Sequence, residues 1–169
     1  MDILQALRDR VQMVETSLTS GLAVREVVMK HEHDIIELQR YQLLEGLTGR
    51  GEDIRPYYSE DIKPSGYFHT TESAGRYAAW KQDLTYPYSA NRNPDAPNLY
   101  INGKFHEELG VTFGIDLMLI EGMTGYAKQI VAKYGFETFG LMWEKWSIIW
   151  QERGGLNEIM QEIKRMLYV

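Results

Sequence analysis

Histidine and acidic side chains lie close together in one short stretch, His31-Glu32-His33-Asp34, with Glu37 three residues further on. Imidazole and carboxylate groups are ligands that zinc and iron accept. Residues two apart on a helix point about 200° away from each other, so His31 and His33 do not converge on one ion. Only His31 with Asp34, and His33 with Glu37, share a face. The stretch indicates a solvated helix face with a half-buried His31, and a small metal-dependent hydrolase using His31, His33 and Asp34 is the alternative.

Other motifs that carry chemistry are missing from the sequence. There is no Gly-x-Ser-x-Gly nucleophile motif, and Gly46, Gly49 and Gly51 have the wrong spacing for a phosphate-binding loop. His69 and His106 occur singly. We therefore expect no catalytic residue, no cofactor and no metal, and we predict that the chain is not an enzyme.

The composition restricts the class of protein further. The chain has 169 residues, a net charge of −6 and no cysteine, which predicts one domain without disulfides or thiolate metal sites. Binding to a phosphate backbone needs clustered Lys and Arg, so we expect no direct sequence-specific nucleic-acid binding. No apolar run reaches about 18 residues, which indicates no membrane span, and the first residues lack the features of a signal peptide.

Both ends of the chain have the apolar periodicity of helices. Residues 2–19 form one predicted helix, and Ser20 is a candidate cap for a second helix that ends near Glu45. Whether Gly21 breaks or bends this helical region is open. The apolar stripe of the two helices consists of Ile3, Leu7, Val11, Val14, Leu18, Val24, Val28, His31, Ile35 and Leu38.

The C-terminal residues 142–168 predict two further helices separated by Gly154-Gly155. In the first of these, Trp143, Trp146 and Trp150 form an aromatic stripe. We favour the interpretation that this stripe packs in the core against the hairpin predicted for residues 98–141. The alternative is that it binds a partner protein.

Residues 98–141 predict a hairpin and two short helices. Val111-Thr112-Phe113 and Leu117–Glu121 are short strand-like runs with a three-residue connection. We expect Phe113 and Leu119 to be buried, because a lone hairpin is marginal in water and needs a cover. Asn102-Gly103 is either a hairpin turn or the start of a short helix that ends at Gly110, and we favour the helix. A second helix is predicted from Tyr126 to Lys133, with Gly135 as its stop.

Residues 48–97 differ from the rest, since they hold all five prolines and six of the eleven tyrosines. Only 71–83 has helical character. Irregular stretches of this length are usually functional or disordered, and disordered segments are poor in aromatics. We predict an assembly surface, whose basic residues suit acidic neighbours, and the alternative is a loop that folds back on its own domain. The predicted contact residues are Tyr57, Tyr58, Tyr67, Phe68, Trp80, Tyr86, Tyr88 and Arg92.

Together these patterns predict an α+β fold. A small antiparallel β-sheet or hairpin is packed by long N-terminal and C-terminal helices, with a long Pro/Tyr-rich insertion. The chain is one domain, 1–169, made of N-terminal helices 2–46, the Tyr/Pro-rich region 48–97, a hairpin module 98–141 and C-terminal helices 142–168.

Roughly residues 35–167 resemble the neck and tail-completion proteins of tailed bacteriophages and prophages. The Tyr/Pro-rich region is longer than simple members of that family have. The segments that carry the resemblance are, in order, Gln39–Leu43 ahead of Gly46, Pro97–Tyr100, Gly103–Leu109, Tyr126-Ala127, Lys133–Gly135 and Phe139–Leu141.

The resemblance implies a non-enzymatic structural protein of the virion. Such a protein is a homo-oligomeric ring between portal and tail, in contact with other phage portal, neck and tail proteins. It would be found in the neck of the virion, and in the host cytoplasm during assembly. A phage-encoded assembly factor that is absent from the mature virion is a further alternative.

Overall fold

A computed structural model describes residues 3–64, 66–86, 93–114, 118–122 and 125–168. The fold is mostly helical α+β, with a two-stranded antiparallel hairpin packed against N-terminal and C-terminal helices, which confirms the predicted class. In chain order the elements are α1 (Ile3–Thr19), α2 (Leu22–Lys30), α3 (Glu32–Leu44), α4 (Thr71–Gln82), α5 (Lys104–Glu107), β1 (Leu109–Phe113), β2 (Met118–Gly122), α6 (Gly125–Tyr134), α7 (Trp143–Ser147) and α8 (Gly155–Tyr168).

The N-terminal region contains three helices where the sequence predicts two. Gly21 has a φ of +71° and separates α1 from α2, so it breaks the helix. The Ser20 hydroxyl donates to the Ser17 carbonyl instead of capping α2. A second interruption at His31, with φ −94° and ψ 14°, divides the predicted second helix into α2 and α3.

The hairpin has the predicted position, and its register decides which residues face the core. Val111 pairs with Ile120 and both are buried. Leu119 pairs with Thr112 on the opposite face and is 44% exposed, so its predicted burial is wrong. Phe113 is only partly buried, at the edge of the core. Successive strand residues alternate between faces, so a shift of one position reverses burial.

Short helices flank the hairpin. The Asn102 side chain accepts from the Lys104 amide at 3.2 Å, and α5 begins there, which confirms the helix interpretation. The helix ends before Gly110, which lies in β1, so the predicted stop at Gly110 is wrong. Helix α6 ends at Tyr134, and Gly135 follows with a φ of +87°, as predicted.

Two apolar clusters lie on the buried face of the hairpin. In the first, Val28 and Ile35 from the N-terminal helices meet Val111, Ile120, Leu141 and Ile149. In the second, Leu43, Ile54 and Leu109 come together. Helix α3 contributes to both clusters, so it is the element that covers the hairpin.

The tryptophan stripe is only partly in the core. Trp146 and Trp150 pack against the first cluster, with their rings stacked and the centroids 6.1 Å apart. Trp143, the first residue of α7, is 75% exposed. The core interpretation therefore applies to two of the three tryptophans. A π-helical turn, Ile148–Glu152, follows α7.

Two buried glutamines fix α3 to the segment before α7. The Gln39 side-chain oxygen accepts from the Gly140 amide, and that of Gln42 accepts from the Met142 amide, both at 2.9 Å. Gln42 also donates to the Gly140 carbonyl at 2.8 Å. A Cβ on Gly49 would lie 2.9 Å from the Phe139 carbonyl oxygen, so the backbones approach too closely for any side chain there.

No helix within the described ranges is both long enough and apolar enough to cross a bilayer.

Candidate assembly surfaces

Helix α4 organises the aromatic residues of the Tyr/Pro-rich region. It starts with a capping box, in which Thr70 and Ser73 exchange hydrogen bonds between side chain and backbone amide at 3.1 and 3.2 Å. Behind the helix, Tyr58 and Phe68 are buried together with Ala74. The Tyr58 ring meets the Phe68 and Tyr77 rings edge-on, with centroids 5.9 and 5.0 Å away.

The outer side of this aromatic cluster is accessible. Tyr67 is 74% exposed and Trp80 is 44% exposed. They flank the half-buried Tyr77, whose ring centroid lies 5.6 Å from that of Tyr67 and 5.4 Å from that of Trp80. A shallow groove of about 520 Å³ lies among these rings and Arg76. We call Tyr67, Arg76, Tyr77 and Trp80 the α4 surface; rigid aromatic rings of this kind suit contact with another protein.

The phenols of Tyr77, in the α4 surface, and of Tyr58, buried behind it, are neutral. Burial, together with the neighbouring tyrosines, raises the pKa of Tyr77 to about 12. Burial raises the pKa of Tyr58 even further above its ordinary value. Neither phenol ionises at physiological pH.

The predicted contact residues that the structure describes divide into three groups. Tyr67 and Trp80 are exposed, whereas Tyr58 and Phe68 are enclosed by their own chain. Two others are half-buried with hydrogen bonds inside the chain: Tyr57 donates to the Asp53 carboxylate, and Tyr86 donates to the Lys81 carbonyl. The last two, Tyr88 and Arg92, lie outside the described residues.

Within the described part of the same region, the basic residues already have partners in the chain. Arg50 pairs with Glu137, Arg55 with Glu60, Lys63 with Asp61 and Arg76 with Glu72, and buried Lys81 donates to the Tyr100 carbonyl. Their charges are therefore partly compensated, which weakens the expected attraction to acidic neighbours.

Much of the Tyr/Pro-rich region is bound to its own chain. The buried Asp61 carboxylate accepts from Lys133 of α6 at 2.6 Å, and this hydrogen bond lowers the pKa of Asp61. The Tyr58 amide donates to the Asp95 carbonyl at 3.1 Å, which closes the region on itself. These residues are therefore arranged as in the alternative interpretation, in which the loop folds back on its own domain.

Helix α1 forms a second apolar surface. Leu4, Leu7, Val11 and Leu18 are between 40% and 62% exposed, and Val14 is half-buried. Arg10 is half-buried and donates to the Leu167 carbonyl at the end of α8. The apolar stripe of this helix is thus largely open in the single chain, and periodicity could not have shown it, since the same stripe suits a core or an interface.

A third apolar feature, which the sequence did not indicate, lies between β2 and α6. The groove has a volume of about 880 Å³ and is lined by Met118, Ala127, Val131, Phe136, Leu141 and Trp146. Phe136 is 79% exposed at its rim. The residues come from four segments between 118 and 146, so only the folded chain brings them together.

The histidine stretch does not form one site. His31 is buried, with Nδ1 3.1 Å from Asp34 and Nε2 3.3 Å from Glu158 of α8. The His33 side chain is 82% exposed and lies 4.0 Å from Glu37. The two imidazoles therefore diverge, as the helical spacing predicts. Within the described ranges, no group of three or more potential ligands is placed to hold a metal ion.

The fold and its exposed features define an α+β protein with several exposed apolar surfaces. Comparisons with known protein families, with curated proteins and with solved structures found no match to this chain. Any proposal about its function therefore rests on the geometry and on the sequence patterns themselves.

Proposed function

We propose that the chain is a structural connector protein of a tailed-bacteriophage particle, a neck or tail-completion subunit that forms a homo-oligomeric ring between portal and tail. The observation that carries the proposal is apolar exposure on several different elements of one small chain. The order of the sequence segments resembles that of neck proteins. This resemblance is the reason for proposing a position between portal and tail.

Exposed apolar side chains lie on several elements of the chain and are concentrated in its terminal helices. Among the described residues, 18 large apolar side chains are exposed, and 11 of these belong to α1, α2 and α8. The others include Tyr67 and Trp80 on the α4 surface, and Phe136 and Leu119 near the groove. Contiguous apolar patches on soluble proteins mark interaction sites.

A ring explains why more than one surface is needed. Each subunit of a closed ring presents one surface to one neighbour and a different surface to the other, and a connector also meets rings above and below. The α4 surface is the best candidate for the contact within the ring, because its rings are rigid, neutral and accessible. Large aromatic side chains are the anchors that interfaces favour.

The metal-dependent hydrolase is less well supported by the geometry. It requires His31 and His33 to act together with Asp34, and only His31 is near Asp34. An assembly factor absent from the virion has the same surfaces as a connector, so the surfaces do not separate the two. Mass spectrometry of purified particles does: a connector is present in a fixed copy number, and an assembly factor is missing.

The ring itself is tested on the purified protein. We expect negative-stain images and light scattering to show closed oligomers, and Tyr67→Ala with Trp80→Ala to shift them to smaller species without loss of helical circular dichroism. Tyr168→Ala is the matched control, because Tyr168 is also an exposed aromatic but lies at the end of α8. A wild-type chain that stays monomeric at every concentration contradicts the ring.

A further inference from the structure

Five apolar residues of α1, four of them exposed, follow the spacing of a two-helix seam. Leu4, Leu7, Val11, Val14 and Leu18 alternate steps of three and four residues, which is the a and d pattern of a heptad. Such a stripe is narrower than the apolar face of a helix that packs on a globular core. The helix has 17 residues and is therefore about 25 Å long, so the seam covers roughly two heptads.

The charges beside this seam differ between its two sides. Arg8 and Glu15 follow the d residues Leu7 and Val14, and both are exposed. On the other side, Arg10 and Ser17 are half-buried, and Arg10 donates to the Leu167 carbonyl of α8. One side is thus occupied by α8, and the open side carries one positive and one negative residue, seven positions apart.

We propose that α1 binds α1 of a second copy of this chain in an antiparallel arrangement. A two-fold axis between Gln12 and Met13 places Leu7 opposite Leu18 of the second copy and Val11 opposite Val14. The same register places Arg8 and Glu15 of the second copy on the same side of the seam, two positions apart along it and within reach of an ion pair, and the symmetry produces this pair twice. In a parallel arrangement, Glu15 would instead face Arg10 of the second copy. That arginine already donates to the Leu167 carbonyl of its own α8.

Helix α8 flanks the contact. Its C-terminal end packs beside α1, where Arg10 donates to the Leu167 carbonyl. The C-terminal ends of two α8 helices then lie beside the two α1 helices around the two-fold axis. This contact goes beyond the proposed ring and is independent of it, because a two-fold contact joins identical surfaces, whereas ring closure joins different ones.

The test is a charge-swap cycle measured by sedimentation equilibrium. All variants are made with Tyr67→Ala and Trp80→Ala, so that ring formation does not obscure the dimer. We expect Arg8→Glu and Glu15→Arg each to weaken dimerisation roughly tenfold or more, since each change affects two pairs. The combination Arg8→Glu with Glu15→Arg restores the affinity to within about threefold of the parent, because opposite charges face each other again.

Two controls accompany the cycle. Asp9→Arg changes the charge by the same amount as Glu15→Arg on the same helix but away from the seam, and should leave the affinity unchanged. Val11→Asp should abolish the dimer while circular dichroism retains the helical signal, because Val11 is exposed in the single chain.

Three results would overturn the proposal. They are a parent protein that is monomeric over the whole concentration series, a double charge swap that fails to restore dimerisation, and an Asp9→Arg variant as weak as Glu15→Arg. None of them affects the ring, whose own variants lie on the α4 surface.

Discussion

At the scale of single residues, the chain buries one imidazole in the neutral state. His106 lies beneath Tyr100, its Nε2 is 3.2 Å from the Asn98 carbonyl oxygen, and its Nδ1 has no hydrogen-bond partner within the described part of the chain. Nε2 therefore carries the proton and donates to Asn98. A second proton on Nδ1 would place a buried charge without an acceptor. Burial is the main reason why the pKa of His106 is lowered to about 4.

This environment predicts a loss of stability in mild acid. The folded pKa of His106, about 4, lies below the ordinary value of 6.5, so the neutral form stabilises the fold. The stabilisation is complete above pH 6.5 and is lost as the pH falls towards 4. By linkage it amounts to about 3 kcal/mol in the free energy of unfolding.

Urea unfolding between pH 7 and pH 4.5 measures this effect. His106→Gln keeps a side-chain donor for Asn98 but does not titrate, so its stability should change less over the same range. His33→Gln, an exposed histidine, is the control and should follow the wild type. Equal pH dependence of wild type and His106→Gln would show that other groups cause the acid sensitivity.

At the scale of elements, the hairpin is stabilised through one face only. The residues of β1 and β2 that point to the core meet α3 and the C-terminal helices, and the alternate residues meet solvent. Helix α3 in turn depends on its two buried glutamines, because it packs against a segment of irregular backbone whose polar groups need partners. The sheet is small, so its covering helices determine its stability.

Truncation of two neighbouring residues of β2 should therefore lower the free energy of unfolding by very different amounts. Ile120→Ala should lower the free energy of unfolding by about 2–5 kcal/mol, because it removes buried contacts and leaves a cavity. Leu119→Ala should lower it by less than about 1 kcal/mol, since the side chain faces solvent in the single chain. Thermal and denaturant unfolding of the two variants decides the matter, and a larger loss for Leu119→Ala would show that the register is shifted by one residue.

At the scale of the whole molecule, the chain combines a closed core with open apolar surfaces. The Tyr/Pro-rich region is attached to the core through Asp61 and Lys133, and it displays the α4 surface on its outer side. A region held in this way presents a ready contact surface, so little ordering is needed on assembly. The attachment of this region therefore favours formation of the proposed ring.

Limited proteolysis tests the attachment. Lys133→Met removes the donor to buried Asp61 and should increase cleavage between residues 51 and 64 in the free subunit. Lys63→Met is the matched control, because Lys63 is exposed and 3.7 Å from the same carboxylate, so its cleavage should equal that of the wild type. Assembly should protect the region in all three proteins. Equal cleavage of Lys133→Met and wild type would show that other contacts hold the region.

The sequence by itself determined the features that depend on neighbouring residues. The helical periods, the hairpin and the stop at Gly135 follow from backbone preferences and from spacing along the chain, which act over a few residues. Whether Gly21 breaks the helix was left open by the sequence, and the interruption at His31 was not expected. The aromatic content of the Tyr/Pro-rich region also indicated contact, without showing which rings are accessible.

Only the tertiary structure decided which faces are buried. Most of the α1 stripe lies exposed, Leu119 faces solvent one position away from buried Ile120, and Tyr58 is enclosed while Tyr67 is open. An apolar pattern indicates that a face is buried away from water. It does not indicate whether that face packs against the same chain or against another one. Burial depends on contacts between residues far apart in the sequence, and those contacts exist only once the chain has folded.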